Sequence, residues 1–404
     1  MKISFSPPYI DEAVEREVLD SLRSGWITTG PKVAALQAAV AKHTQVNQVL
    51  CVNSATSGMM LALHWFGVGR GDEVILPAYT YCATALVVQH LGATPILVDV
   101  GEDFNITIGN IQKVTSQRTK VILPVDIAGW PCDYDAIMDW VQSEEVRTLF
   151  QPKGEQQEKL GRPMVLADAA HSFGAIYKGR PAGSLADLSV FSFHAVKNLT
   201  TAEGGAICIN LPAPFDAEEV YKTLRLWSLN GQTKDAFTKS QAGGWRYDII
   251  YPGFKVNMPD ICAAIGLAQM KSYFSTLLLR RNEIYDQYTK KLSNYAWALT
   301  PVRKTSKIEG CGHLYPLRIA GANEAKRDKI IIEISIQGVA VNVHFIPLPM
   351  LTVFKERGYD INDYPISYSL YSNEISLPIY PQLTNEQVDR VLAAVISSVQ
   401  KVME

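Results

Sequence analysis

The run Val165-Leu166-Ala167 ends in Asp168, and a second apolar run, Leu188 to Phe193, leads 29 residues beyond that aspartate to Lys197, which is flanked by uncharged side chains. Two runs of this kind can bring an acid and an amine to one edge of a sheet. An amine kept from water loses affinity for its proton, and the free base can then attack a carbonyl to form a Schiff base. A carboxylate fixed at a strand end can hold a proton on a heteroaromatic nitrogen, turning a pyridine ring into an electron sink. Lys197 and Asp168 fit these two parts together. Taken singly, such an aspartate is more often a turn or helix cap and such a lysine a solvated charge.

Asn53-Ser54-Ala55-Thr56-Ser57-Gly58 supplies a candidate anion site at the start of a helix carrying Met59, Met60, Leu61 and Leu63. Helix-start amides point at an anion, and the hydroxyls of Thr56 or Ser57 would add to them. An ordinary N-cap explains the same residues equally well. The stretch is not a P-loop and no G-x-G-x-x-G follows a strand, which argues against nucleoside triphosphates and nicotinamide cofactors. Pro77-Ala78-Tyr79-Thr80-Tyr81 also follows a strand; an aromatic there can lie flat on a planar ligand, although core packing is the reading these residues favour alone.

These residues need a scaffold that gathers strand ends. Runs at Val49 to Val52, Glu73 to Leu76, Thr94 to Val98, Lys120 to Val125, Pro163 to Ala167, Leu188 to Phe193 and Ala206 to Asn210 read as strands. They alternate with helix candidates near Ser57 to Phe66, Cys82 to Leu91 and Tyr134 to Val141. That pattern predicts an α/β domain with a mostly parallel sheet, whose ligands collect beyond the strands' carboxyl ends. Gln142 to Gly161 is polar without an apolar period and reads as an exposed loop or short surface helix. Beyond Asp260 a helical stretch reaches about Leu292, followed by strand-like His313 to Ile319, a helix ending before Gly338 and strand-like Val339 to Phe345. Thr384-Asn385-Glu386-Gln387 is a capping box opening the last helix. The division is expected between a large domain, 1–260 with an N-terminal arm, and a small α+β domain, 261–404.

The chain has 404 residues, 47% hydrophobic and 19% charged, which is enough apolar material for more than one core. With 38 basic and 40 acidic side chains it has no global positive field for nucleic acid or an anionic membrane. Its apolar runs are too short to span a bilayer and its start lacks a secretory pattern, so a soluble, cytoplasmic protein is expected. Six scattered cysteines without a C-x-x-C pair argue against a zinc cluster or a disulfide framework, and no metal site is expected.

In this frame the chain resembles the sugar aminotransferases of the DegT/DnrJ/EryC1/StrS group. The resemblance rests on Ser24 to Pro31, Asn53 to Gly58, Gly71 to Ile75, Asp168 to His171, Ser192 to Gly205, Pro252 to Met258 and Ser376 to Pro381. It implies the type I fold of enzymes that use pyridoxal 5′-phosphate. On that pattern Lys197 would form the Schiff base and Asp168 would face the pyridine nitrogen. Tyr81 would stack on the ring, Thr56, Ser57 and Ser192 would meet the phosphate, and His171 would lie close to the cofactor or pack behind it. A homodimer with shared active sites is also implied, with Asn230 and the segment around Lys255 and Asn257 reaching the neighbouring site. Many relatives have Asn at the position of Lys255 and Arg at that of Asn257.

The resemblance is nearest to enzymes that aminate the 4-keto group of nucleotide-linked sugars, including the 4-amino-arabinose type. It implies glutamate as donor, 2-oxoglutarate as first product, a nucleotide-diphosphate keto-sugar as acceptor and ping-pong kinetics. Amination at C3 or of a cyclitol ketone is the alternative. Sugar dehydration is disfavoured because relatives of that kind carry histidine in place of the lysine, and a non-catalytic regulatory protein would not need the amine. Trp26 to Gly30, Trp245 to Tyr247 and Val341 to Phe345 are candidate approaches to the sugar nucleotide.

Overall fold

The computed structural model describes residues 2–234 and 245–403. Seven strands form its central sheet: β1 (Gln48–Val52), β2 (Glu73–Pro77), β3 (Thr94–Val98), β4 (Thr119–Ile122), β5 (Met164–Asp168), β6 (Leu188–Ser192) and β7 (Gly205–Ile209). Their spatial order is β1-β7-β6-β5-β4-β2-β3, and only β7 runs against the others. Strands β2, β4 and β5 are buried along their whole length. Helices cover both faces, which is why these strands read as unbroken apolar runs instead of alternating ones. All seven expected strands are present, with ends shifted by at most a few residues.

Helices α1 (Glu12–Arg23) and α2 (Pro31–Thr44) precede the sheet, and α3 (Ala55–Trp65) and α4 (Ala83–His90) follow β1 and β2. The start of α2 is capped from far away: the carboxylate of Asp260 accepts the amides of Gly30, Lys32 and Val33 at 2.8, 3.0 and 2.9 Å. An acid at this position satisfies orphan N–H groups and faces the positive end of the helix. Helix α3 is held close to β7 because Gly205 has no side chain; a Cβ there would lie 2.7 Å from the amide nitrogen of Ala55.

The polar segment 142–161 is less detached than expected. It forms two short helices, Glu144–Leu149 and Glu155–Leu160. Val146 and Gln157 are buried, and Gln157 Nε2 donates to the carbonyl of Phe66 at 3.0 Å. Lys120 Nζ donates to the carbonyls of Gln117 and Gln151, tying the segment to β4.

A second core forms around an antiparallel sheet of Ala298–Leu299, Tyr315–Ile319 and Glu374–Leu377, covered by helices Leu278–Leu292, Glu324–Ile336 and Asn385–Met403. Ile3 of the N-terminal arm is buried in it, its amide donating to Gly338 O at 2.8 Å. The capping box is made in both directions: Gln387 N donates to Thr384 Oγ1 at 3.2 Å and Thr384 N to Gln387 Oε1 at 3.0 Å.

Val339 to Phe345 is not a strand. It makes single bridges only, Val339 with Ile3 and Asn342 with Ser376. The amides that a ladder would use go elsewhere: Val343 N to the Asn342 side chain at 2.8 Å and His344 N to the Glu374 carboxyl at 3.0 Å. Among the described residues no single helix is long and apolar enough to cross a membrane.

Candidate active site

A cavity of about 470 Å³ lies beyond the carboxyl ends of β1, β2, β5 and β6. Thr56, Tyr81, Asp168, His171, Ser192 and Lys197 all line it. The order of events in the chain explains the convergence: each parallel strand delivers its next residues to the same edge. Ser57 stands beside Thr56 on the first turn of α3, where its amide is capped by Ser54 Oγ at 3.1 Å and its hydroxyl lies 3.0 Å from the same oxygen.

Asp168 ends β5 and is buried, and its two oxygens are separately held. Oδ2 accepts from the Thr84 hydroxyl at 2.8 Å and Oδ1 from the Ala170 amide at 3.2 Å. Burial raises its pKa, while these two donors and the Lys197 ammonium oppose the shift. Lys197 follows β6 in a turn closed by its amide on His194 O at 2.9 Å. Burial pushes its amine down to about 8, against the pull of Asp168. A lysine near 8 is free base for roughly a tenth of the time at pH 7, far more than an ordinary lysine, as a nucleophile or proton shuttle requires.

His171 is buried, with Nδ1 accepting the Ala128 amide at 3.3 Å and its ring 4.3 Å from that of His313. Its pKa is well below the usual histidine range, first through burial and then through Lys197. It is therefore neutral, with its one ring proton on Nε2. Ser192 is half-buried at the end of β6, and its Oγ accepts the His194 amide at 3.4 Å. Tyr81 is exposed at the rim, its ring 5.9 Å from Phe345.

Asn230 and Lys255 do not line this cavity. Both are exposed on adjoining segments, where Asn230 N donates to Phe254 O at 2.7 Å and Leu229 bridges Lys255. Asn257 is turned inward to Thr29, its Nδ2 lying 2.6 Å from that hydroxyl oxygen. Of the stretches offered for a sugar nucleotide, only His344 and Phe345 reach the cavity. Trp245 and Tyr247 are exposed elsewhere, and Thr29 and Gly30 line a separate hollow of about 340 Å³.

Several lining or supporting groups escaped the sequence reading. Thr84 holds Asp168 and is itself paired with Thr80 at 2.9 Å. His313 bonds through Nδ1 to Asn198 Oδ1 at 2.9 Å, next to the lysine. Phe5 and Ser6 of the N-terminal arm complete the rim; Ser6 Oγ donates to Val196 O at 3.3 Å. Beneath the floor, Asp126 accepts from Ser172, Tyr134 and the Cys132 amide at 2.6, 2.8 and 3.0 Å, and burial still lifts it to about 6.

A phosphorylated pyridine aldehyde fits this donor set. The capped first turn of α3 offers amides and hydroxyls to a phosphate, Asp168 faces the cavity as an acceptor, and Lys197 supplies a poorly solvated amine. The buried Oδ1 of Asn53, beside that turn, has no hydrogen-bond partner among the described residues.

The fold is that of the type I enzymes that use pyridoxal 5′-phosphate. Comparison with known proteins gives the family: residues 8–151 and 156–396 match the DegT/DnrJ/EryC1/StrS aminotransferase family, to which the chain belongs. It is 36% identical over 401 residues to the UDP-4-amino-4-deoxy-L-arabinose–oxoglutarate aminotransferase of Shewanella sediminis, covering 96% of each chain. It is 34% identical over 398 residues to the spore coat polysaccharide biosynthesis protein SpsC of Bacillus subtilis, covering 97% of this chain and 96% of SpsC. The solved PMP form of Spr1654 from Streptococcus pneumoniae superposes with a TM-score of 0.95 at 44% identity, covering 99% of this chain and 100% of that one.

Proposed function

We propose that this aminotransferase moves an amino group from glutamate to the keto carbon, at C4, of a nucleotide-diphosphate keto-sugar, by a ping-pong route through Lys197. The observation that carries the reading is the convergence of Asp168, Lys197 and the capped turn Ser54 to Ser57 on one cavity. The Shewanella relative, whose name specifies an amino-sugar and oxoglutarate, supports the choice of substrates.

Pyridoxal 5′-phosphate is the cofactor, and when bound it supplies the electron sink that lets a carbon–hydrogen bond next to nitrogen be broken. The chain's residues do the rest. Lys197 would be the point of covalent attachment, and its amine, as base and then acid, would carry the proton that moves. Asp168, fixed by Thr84 and the Ala170 amide, would hold a proton on the ring nitrogen. Thr56, Ser57 and Ser192 would hold the phosphate, Tyr81 would cover the ring, and neutral His171 backs the site without adding a competing charge. Among the described residues the lining offers no Lys or Arg besides Lys197, so a sugar diphosphate needs charge from elsewhere. Lys255 of a second copy would supply that charge and Asn230 a neutral amide donor beside it, and a homodimer with shared sites is part of the proposal.

The test is borohydride reduction of the holoenzyme followed by peptide mapping, together with NMR of the product from glutamate and a panel of keto-sugar nucleotides. The label is expected on Lys197 and the new C–N bond at C4. A label on another lysine would overturn the assignment of the amine, and a bond at C3 the assignment of the carbon.

A further inference from the structure

The wall of the cavity supplied by the second core contains a hydrogen-bond chain that the proposed reaction does not use. Glu374, first residue of the strand Glu374–Leu377, is fully buried. One of its carboxyl oxygens lies 2.5 Å from the Ser376 hydroxyl, and the other accepts the His344 amide at 3.0 Å. Ser376 Oγ in turn lies 2.9 Å from Nδ1 of His344. His344 lines the cavity with Phe5 stacked on it at a centroid distance of 5.4 Å, and among the described residues its Nε2 has no hydrogen-bond partner.

The surroundings decide where the protons are. Arg327 is the cation that acts on Glu374, but its guanidinium is spent on Asp328 and on the carbonyls of Tyr371 and Glu374, and among the described residues the carboxyl has no ion pair. The Tyr79 hydroxyl goes to the His344 carbonyl at 2.8 Å and gives the carboxyl nothing. Burial therefore dominates and lifts Glu374 to about 8, so it is mostly the neutral acid at pH 7. On the other side, Lys197, Asp168, Glu203, Tyr81, His171, His194 and His313 share the cavity with His344, and of these Lys197 is the one that acts on its charge. Burial and the lysine push His344 down to about 4, so its imidazole is neutral and carries one ring proton. Which nitrogen holds that proton is set by the partner of the other.

We propose that Glu374 and Ser376 are positioning residues that fix the tautomer of His344. The carboxyl O–H donates to Ser376 Oγ, the Ser376 O–H donates to Nδ1, and the ring proton is held on Nε2, presenting a donor to the ligand cavity. The reverse arrangement, with Glu374 ionised, would place the proton on Nδ1 and present an acceptor. A donor suits an oxygen of the keto-sugar nucleotide; this choice of ligand rests on the sugar-aminotransferase reading, whereas the tautomer does not.

Long-range proton–nitrogen NMR of holoenzyme labelled with [15N]histidine reads the tautomer directly, His344 being assigned by the signal lost in His344→Gln. The Nε2-protonated form is expected. In kinetics, Glu374→Ala and Ser376→Ala should each raise KM about tenfold, the loss of one buried hydrogen bond, for whichever uridine- or thymidine-diphosphate keto-sugar the enzyme aminates, with kcat nearly held. Glu374→Gln, whose amide N–H can donate to Ser376 as the neutral acid does, should recover most of that loss. An Nδ1-protonated His344, or a Glu374→Gln variant as impaired as Glu374→Ala, would overturn the proposal. Should the wild type aminate no keto-sugar, the substrate reading fails and the tautomer alone decides the relay.

Discussion

The two walls of the cavity are built in opposite ways. On the side of the large sheet the polar groups sit at or within a few residues of strand ends: Asp168 ends β5, Ser192 ends β6, Thr56 opens α3 after β1, and Lys197 lies in the turn after β6. On the other side Phe5, His313, His344 and Ile379 come from irregular backbone, pinned by long-range bonds such as Tyr79 to His344 O and Asn198 to Cys311 O. Rigid strand ends hold reacting groups in place better than loops do, whereas loops tolerate change. The difference assigns the chemistry common to any substrate to the first wall and the fit of one particular ligand to the second.

That division is open to attack from both sides. The largest expected effect is on the first wall: Lys197→Ala should lower turnover by about 10⁴-fold and leave no borohydride label at that site, measured on protein whose circular dichroism is unchanged. Thr84→Val strands one oxygen of Asp168 in a buried site, which costs about 1–3 kcal/mol and should reduce kcat about tenfold. With one stabilising donor gone, the acid limb of its pH–rate profile should also move to higher pH. A wild-type profile in Thr84→Val would show that Asp168 does not depend on that hydroxyl. On the second wall, Phe5→Ala should change kcat little and raise KM for the acceptor about threefold, since a stacked ring contributes roughly 0.5–1.5 kcal/mol beyond its area. A loss confined to kcat would erase the distinction between the walls.

The same contrast explains what could be read from the sequence. The sheet was legible because strands buried on both faces are short β-branched runs, and Asp168 and Lys197 announced themselves as polar residues following such runs. The capped turn before α3 was legible for the same local reason. Thr84 was not, because a threonine in an apolar helix looks like any β-branched residue, and its partner Thr80 lies outside that helix, in the bend that precedes α4. Asp260 caps α2 from 230 residues away, beyond the reach of any spacing rule. Val339 to Phe345 alternates as a strand should, yet its ladder is broken by Glu374, whose buried carboxyl takes the amide of His344. Where a side chain competes for a backbone donor, periodicity misleads.

Each wall also buries one titratable group brought to about 8 from opposite directions, Lys197 from 10.5 and Glu374 from 4.5. Their effects on stability therefore run in opposite senses. Between pH 4.5 and 8 folded Glu374 keeps a proton that the unfolded chain releases, so its contribution to stability is lost as pH rises through that window. Between pH 8 and 10.5 the unfolded chain binds the proton that folded Lys197 has given up, so stability rises with pH there. In thermal melts of cofactor-free protein, Glu374→Gln should gain on the wild type from pH 5 to pH 8. Lys197→Met should instead start above the wild type at pH 7 and lose that advantage toward pH 10. Parallel difference curves for the two variants would mean that the walls do not differ in the sign of the charge they exclude, and the separate roles argued for them would have no electrostatic basis.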